Sequence, residues 1–161
     1  MLYEFEQSDL LLAWGVTTAL GWLATMIMAV VQPSVPAVMA IWTVLMAIPV
    51  VITLQLYAAG NSNKLFNFWA VAVSLLMIEN FVTPASISVY SYFLLWMAAS
   101  AAGFYYTSRK MPPPSDKTYR YAAILAAIAL PVVYYDYRTG AILGILLQGG
   151  PMIYDYWTVH R

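Results

Sequence analysis

The chain has 161 residues, of which 63% are hydrophobic and 9% charged, with formal net charge zero, no cysteine and one histidine. A soluble domain of this size needs a charged surface that such a composition cannot supply, so the chain is expected in lipid. The balance of charge offers no basic footprint for nucleic acid, and the missing cysteines exclude disulfides, iron–sulfur clusters and thiolate chemistry. With His160 as the sole imidazole, a haem or zinc site built from histidines inside a membrane is excluded by count, and no cofactor or metal is expected.

The opening "MLYEFEQSDLLLAWG" places Glu4, Glu6 and Asp9 before the first apolar run, where a secretory signal needs basic residues, so no cleaved signal peptide is expected. Apolar runs then fall at 10–31, 36–59, 65–83, 87–107, 119–137 and 141–157. Each approaches the ~20 residues that cross a ~30 Å hydrocarbon core. The breaks "QPSVP" (32–36), "GNSNK" (60–64), "TPAS" (83–86), "SRKMPPPSDK" (108–117) and "RTG" (138–140) are compact and rich in helix-ending residues. The pattern predicts an all-α integral membrane protein: one polytopic domain over 1–161, a bundle of about six transmembrane helices whose short connections make successive helices antiparallel. With both termini cytoplasmic, Lys64, Arg109, Lys110, Lys117, Arg120 and Arg161 lie inside and Arg138 alone lies outside, in a cell membrane. A five-span alternative makes 141–157 a re-entrant hairpin, because "QGGP" interrupts it, but it moves His160 and Arg161 outside.

In chain order, the first span carries Gly15 and Ala19 four residues apart, a spacing that lets helix backbones approach closely. The second holds Pro49, which removes one helix hydrogen bond. In the third, Glu79 and Asn80 lie about five residues, roughly 7 Å, inside the end marked by Pro84. A carboxylate at that depth is expected to be protonated, paired with Arg138 across the outer turn, or facing water. The fourth span has the small pairs Ala98/Ala102 and Ala99/Gly103. The fifth has Ala122/Ala126, Ala123/Ala127 and Pro131, and it ends on the Tyr-Asp-Tyr around Asp136. The sixth repeats that pattern, from Ala-Ile-Leu through a proline to the Tyr-Asp-Tyr around Asp155.

The two aspartates are nineteen residues apart on a helix, roughly 28 Å, so they cannot share a proton or a metal, and a two-aspartate protease is excluded. Each is expected at a membrane boundary, hydrated or paired with Arg138, Arg120 or Arg161. Tyrosines and Trp157 crowd the span ends as an interfacial belt. The strongest backbone break is Gln148-Gly149-Gly150-Pro151, where two flexible residues precede a proline that cannot donate to Leu147, so local unwinding is expected there.

No nucleophile–base pair, phosphate loop or dinucleotide fingerprint is present, and no enzymatic activity is expected. The candidate substrate- or ion-binding residues are Glu79, Asn80, Asp136 and Arg138 in the outer half, and Gln148, Gly149, Gly150 and Pro151 at the break, where interrupted helices line transporter sites. These point to a transporter, channel or membrane-embedded substrate-binding subunit for a small solute. The alternative is a non-catalytic accessory subunit that forms a homo-oligomer or docks on other membrane subunits through its Ala/Gly faces. The bilayer is the expected partner in both.

Overall fold

The computed structural model describes the backbone of residues 7–31, 34–61, 63–82 and 89–159, and the side chains of all of these except 7, 8, 29, 79–82, 89–93, 137 and 159. Six helices account for nearly all of it, and there is no strand among the described residues. They are α1 (Gln7–Val31), α2 (Val35–Ala58), α3 (Lys64–Val82), α4 (Val89–Ser108), α5 (Ser115–Tyr135) and a composite α6. The last runs as an α-helix over Tyr137–Gly144, widens into a π-helical turn at Ile145–Gly149 and returns to α-helix over Gly150–Val159.

Local chemistry sets the helix ends. Ser34 accepts from the amide of Ala37, and Pro36 sits in the first turn of α2, where its missing N–H costs nothing. The chain leaves α2 through Gly60 at φ 79°, a left-handed residue whose neighbour Asn61 returns its amide to Leu56. Asn63 then accepts from the amide of Leu65 to start α3.

The structure departs from the sequence reading at the α5–α6 corner. "RTG" is no turn: it is the first turn of α6, and a single residue, Asp136, makes the corner. Its amide closes α5 on Val132, while its carboxylate caps α6 by accepting from the Arg138 amide at 3.1 Å and the Thr139 hydroxyl at 2.6 Å. An aspartate at this position accepts from an orphan amide of the new helix, and the hydroxyl three positions on holds its carboxylate in place. At the other end of α5, the helix begins at Ser115, before Asp116, Lys117 and Arg120, with Arg120 in an ion pair to Asp116 at 3.6 Å.

The "QGGP" stretch differs as well. Instead of unwinding or re-entering, α6 passes straight through it. The Gly150 amide reaches back five residues to Ile145, a π-type bond that widens the turn before Pro151 and accommodates the missing donor.

Helix α1 packs on α2, α2 on α3, α4 on α5 and α5 on α6, and α6 returns to α1. Contacts between Trp69 of α3 and Gly103, Phe104 and Thr107 of α4 complete the circuit. The small pairs sort accordingly. Gly15 and Ala19 meet Gly149 and Ile153 of α6, Gly103 receives the Trp69 ring, and Ala122 and Ala126 are buried, whereas Ala98 and Ala102 face outward.

Three helical stretches, Asp9–Met28, Val35–Ala58 and Ser115–Tyr135, are long and apolar enough to cross a membrane. Side chains follow the same solvent logic. Val44, Leu54, Ile128 and Leu146 are exposed, while Thr25, Gln148 and Asp155 are almost completely buried. Polar groups gathered inside an aliphatic exterior are compatible with lipid around the bundle.

Candidate functional site

A circuit of six helices leaves a centre that side chains must fill, and tryptophans do most of it. Trp42 of α2 stacks on Trp96 of α4 with ring centroids 5.0 Å apart and meets the edge of Trp22 of α1 at 5.5 Å. Each indole nitrogen needs an acceptor when buried. Trp42 donates to Thr25 at 2.9 Å, Trp69 to Thr107 at 2.9 Å, and Trp22 to the side-chain carbonyl of Gln148 at 2.8 Å. The Gln148 amide in turn faces the sulfur of Met97 at 3.1 Å. Gly144 leaves the space that Trp22 occupies, since a Cβ there would lie 2.3 Å from the ring.

The filling is incomplete in the half of the bundle where α1, α3 and α5 begin. A partly enclosed cavity there leaves about 40 Å³ for the centres of water-sized molecules. At ~10–15 Å³ per water this is room for about three. Its walls are aromatic, from Trp14, Trp42, Phe66, Trp69, Trp96 and Phe104, with polar atoms from Thr18, Ser100, Thr107, Tyr119 and Gln148. None of the described residues lining it is charged.

Behind the Tyr119 wall lies Asp155, 1% exposed. Its carboxylate accepts from the Ser115 hydroxyl and, at 3.3 Å, from the Tyr119 hydroxyl, both in the first turns of α5. This corrects the expectation of a hydrated or arginine-paired boundary residue: two neutral donors hold Asp155 inside the protein. Tyr119 likewise leaves the interfacial belt for the interior, while Tyr57, Tyr105, Tyr121, Tyr134, Tyr135, Tyr154 and Trp157 are exposed as a belt requires.

Of the residues singled out from sequence, Gln148 lines the cavity, and Gly149, Gly150 and Pro151 continue the turn beside it. Gly149 serves helix contact rather than backbone freedom: a Cβ there would come within 2.9 Å of Ala19 Cβ and of the Gly15 carbonyl oxygen. Asp136 and Arg138 are exposed at the far end of α6, and twelve residues of helix put Asp136 about 18 Å from Gln148. The Thr139 hydroxyl, followed by the Arg138 and Thr139 amides, holds the Asp136 carboxyl below the usual carboxylate range. Its cap therefore favours the folded state at neutral pH and is lost as pH falls through that lowered value. Glu79 and Asn80 belong to the last turn of α3, and their side chains lie outside the described residues, as does any pairing of Glu79 with Arg138.

The residues that sequence reasoning missed are the cavity tryptophans, Ser100, Tyr119 and Asp155 in its buried role. A signal existed for the tryptophans, since Trp14, Trp42, Trp69 and Trp96 fall within helices rather than at their ends.

No protein family, curated protein or solved structure matches the chain. The chemistry of the cavity is thus the ground on which a function can be argued.

Proposed function

We propose that this is a six-span protein of the cell membrane, with both termini cytoplasmic, that binds a small uncharged solute in its aromatic cavity as a transporter, channel or substrate-binding subunit. The observation that carries this reading is the cavity itself. It is partly enclosed, it is walled by rings from four helices, α1 to α4, and its polar atoms converge from α1, α4, α5 and α6 without a charge among them. Pockets of this make-up, apolar with a few placed polar groups, are the usual form of small-molecule sites. An ion entering such a lining would lose its hydration with no opposite charge on the wall to replace it, so an uncharged occupant fits. Lys64, Arg109, Lys110, Lys117 and Arg120 lie at the end nearer the cavity, which supports a site in the cytoplasmic half under the proposed orientation.

Topology is tested by single cysteines at exposed positions. Pro113→Cys is expected to react with an impermeant thiol reagent only from the cytoplasmic face, and Thr139→Cys only from the opposite face. Labelling of both from one side would refute the six-span arrangement. For the site, native mass spectrometry of protein released from mild detergent is expected to show a retained small mass, and Ser100→Leu, which fills the cavity, is expected to lose it while staying folded. A Ser100→Leu protein that keeps the same mass would remove the cavity as the binding site.

A second reading, an accessory subunit, is favoured by one feature: Ala98 and Ala102 form an exposed small-residue face on α4. Co-purifying subunits in fixed ratio, with no small mass retained, would select it.

A further inference from the structure

The polar groups of the cavity are unequally committed. Gln148 uses its carbonyl for Trp22 and its amide for Met97. Thr107 accepts from Trp69 and donates to the Gly103 carbonyl, and Tyr119 donates to Asp155. Trp14 is different. It is 4% exposed, it stands in the cavity wall, and its indole N–H is buried with no acceptor among the described residues.

Native proteins rarely leave a buried donor unsatisfied, because the group forfeits its hydrogen bond to water without a replacement. An indole nitrogen only donates, so what is missing is an acceptor. The wall supplies no charge to balance an anion, and the acceptor must therefore sit on a neutral molecule. Space for about three waters sets its size at a few heavy atoms. Resting on the reading of the cavity as a solute site, we infer that the solute is a small neutral molecule carrying an acceptor oxygen, of the carbonyl class. That oxygen takes the Trp14 N–H, and the apolar remainder lies against the rings of Trp42, Phe66 and Trp96.

Acetone and 2-methylpropene test this as probes, since they share size and shape and differ in that only acetone has the acceptor. The protein, labelled with nitrogen-15 at its six tryptophans, gives six indole N–H signals in detergent. The Trp14 signal is the one lost in Trp14→Phe, or is assigned by elimination through the other five Trp→Phe variants should that one fail to fold. Acetone is expected to move the Trp14 proton saturably downfield, and 2-methylpropene is not. Trp14→Phe is expected to weaken acetone binding on the order of tenfold, the effect of one hydrogen bond, and to leave 2-methylpropene unchanged. Equal binding of the two probes, with the Trp14 proton unmoved by either, would overturn the inference and leave a plain apolar pocket whose indole is served by water. A lack of any saturable change at the cavity indoles with both probes would instead overturn the solute-site reading, and the inference with it.

Discussion

Exchanging Gly149 for alanine is expected to destabilise the protein by about 1–3 kcal/mol, while the same exchange at Gly150 is expected to leave it as stable as the parent, or up to about 1 kcal/mol more so. In a plain helix both changes would favour folding, because glycine has more backbone freedom to lose than alanine. What separates them is α1. A methyl on Gly149 would press on Ala19 and on the Gly15 carbonyl oxygen, both fixed in the α1 backbone, and the two helices would have to part. A methyl on Gly150 meets nothing within 4 Å. Gly144→Ala is expected at the top of the same range or beyond, since its Cβ would overlap a fully buried Trp22 that is itself tied to Gln148. Unfolding midpoints in a denaturing detergent titration, compared across the three variants, check the ordering. Equal midpoints for Gly149→Ala and Gly150→Ala would mean that the close approach of α1 and α6 does not exist in the protein.

The same stretch shows what can be read from sequence and what cannot. Six helices were legible because apolar length and turn composition are local properties, and the observed ends of α1 to α4 lie close to the breaks that Pro, Gly, Asn and Ser marked. Gln148-Gly149-Gly150-Pro151 was legible as a special place but not as a π-turn. Two glycines and a proline permit unwinding, and only the packing partner on α1 selects the continuous helix. "RTG" reads as a turn on composition, whereas the cap made by Asp136 and Thr139 turns those residues into a helix start. Tyr119 and Tyr121 look alike on paper, and one is buried against Asp155 while the other is exposed, because helical phase decides which of two nearby rings faces the interior. Asp155 finds its donors 40 and 36 residues away in sequence, a separation over which no local pattern speaks. The cavity, finally, is a remainder left between four tryptophans, and remainders of packing have no motif.

Replacing Asp155 with leucine is expected to cost about 2–5 kcal/mol, and the triple change Asp155→Leu, Ser115→Ala, Tyr119→Phe is expected to recover most of that loss. Leucine has nearly the shape of aspartate but accepts nothing, so the single variant leaves the Ser115 and Tyr119 hydroxyls buried without their acceptor. Orphaned donors, rather than the loss of hydrogen-bond energy itself, make up most of the penalty, and deleting them along with their acceptor removes it. Asp155→Asn is expected to fall between, because both hydroxyls can rotate and the amide offers one oxygen to accept and one NH2 to donate. Unfolding midpoints in detergent for the three variants check the series. A triple variant no more stable than the leucine single would mean that the three groups do not act together. The bond also has a place in the proposed site: Tyr119 is at once a wall of the cavity and the donor to Asp155, so it fastens the first turns of α5 to the end of α6 beside the solute. Tyr119→Phe keeps the ring and removes one of the two bonds of that fastening, leaving the one from Ser115. It is expected to leave the wall in place while weakening the tie between the start of α5 and the end of α6, read as a lowered unfolding midpoint in the same detergent titration.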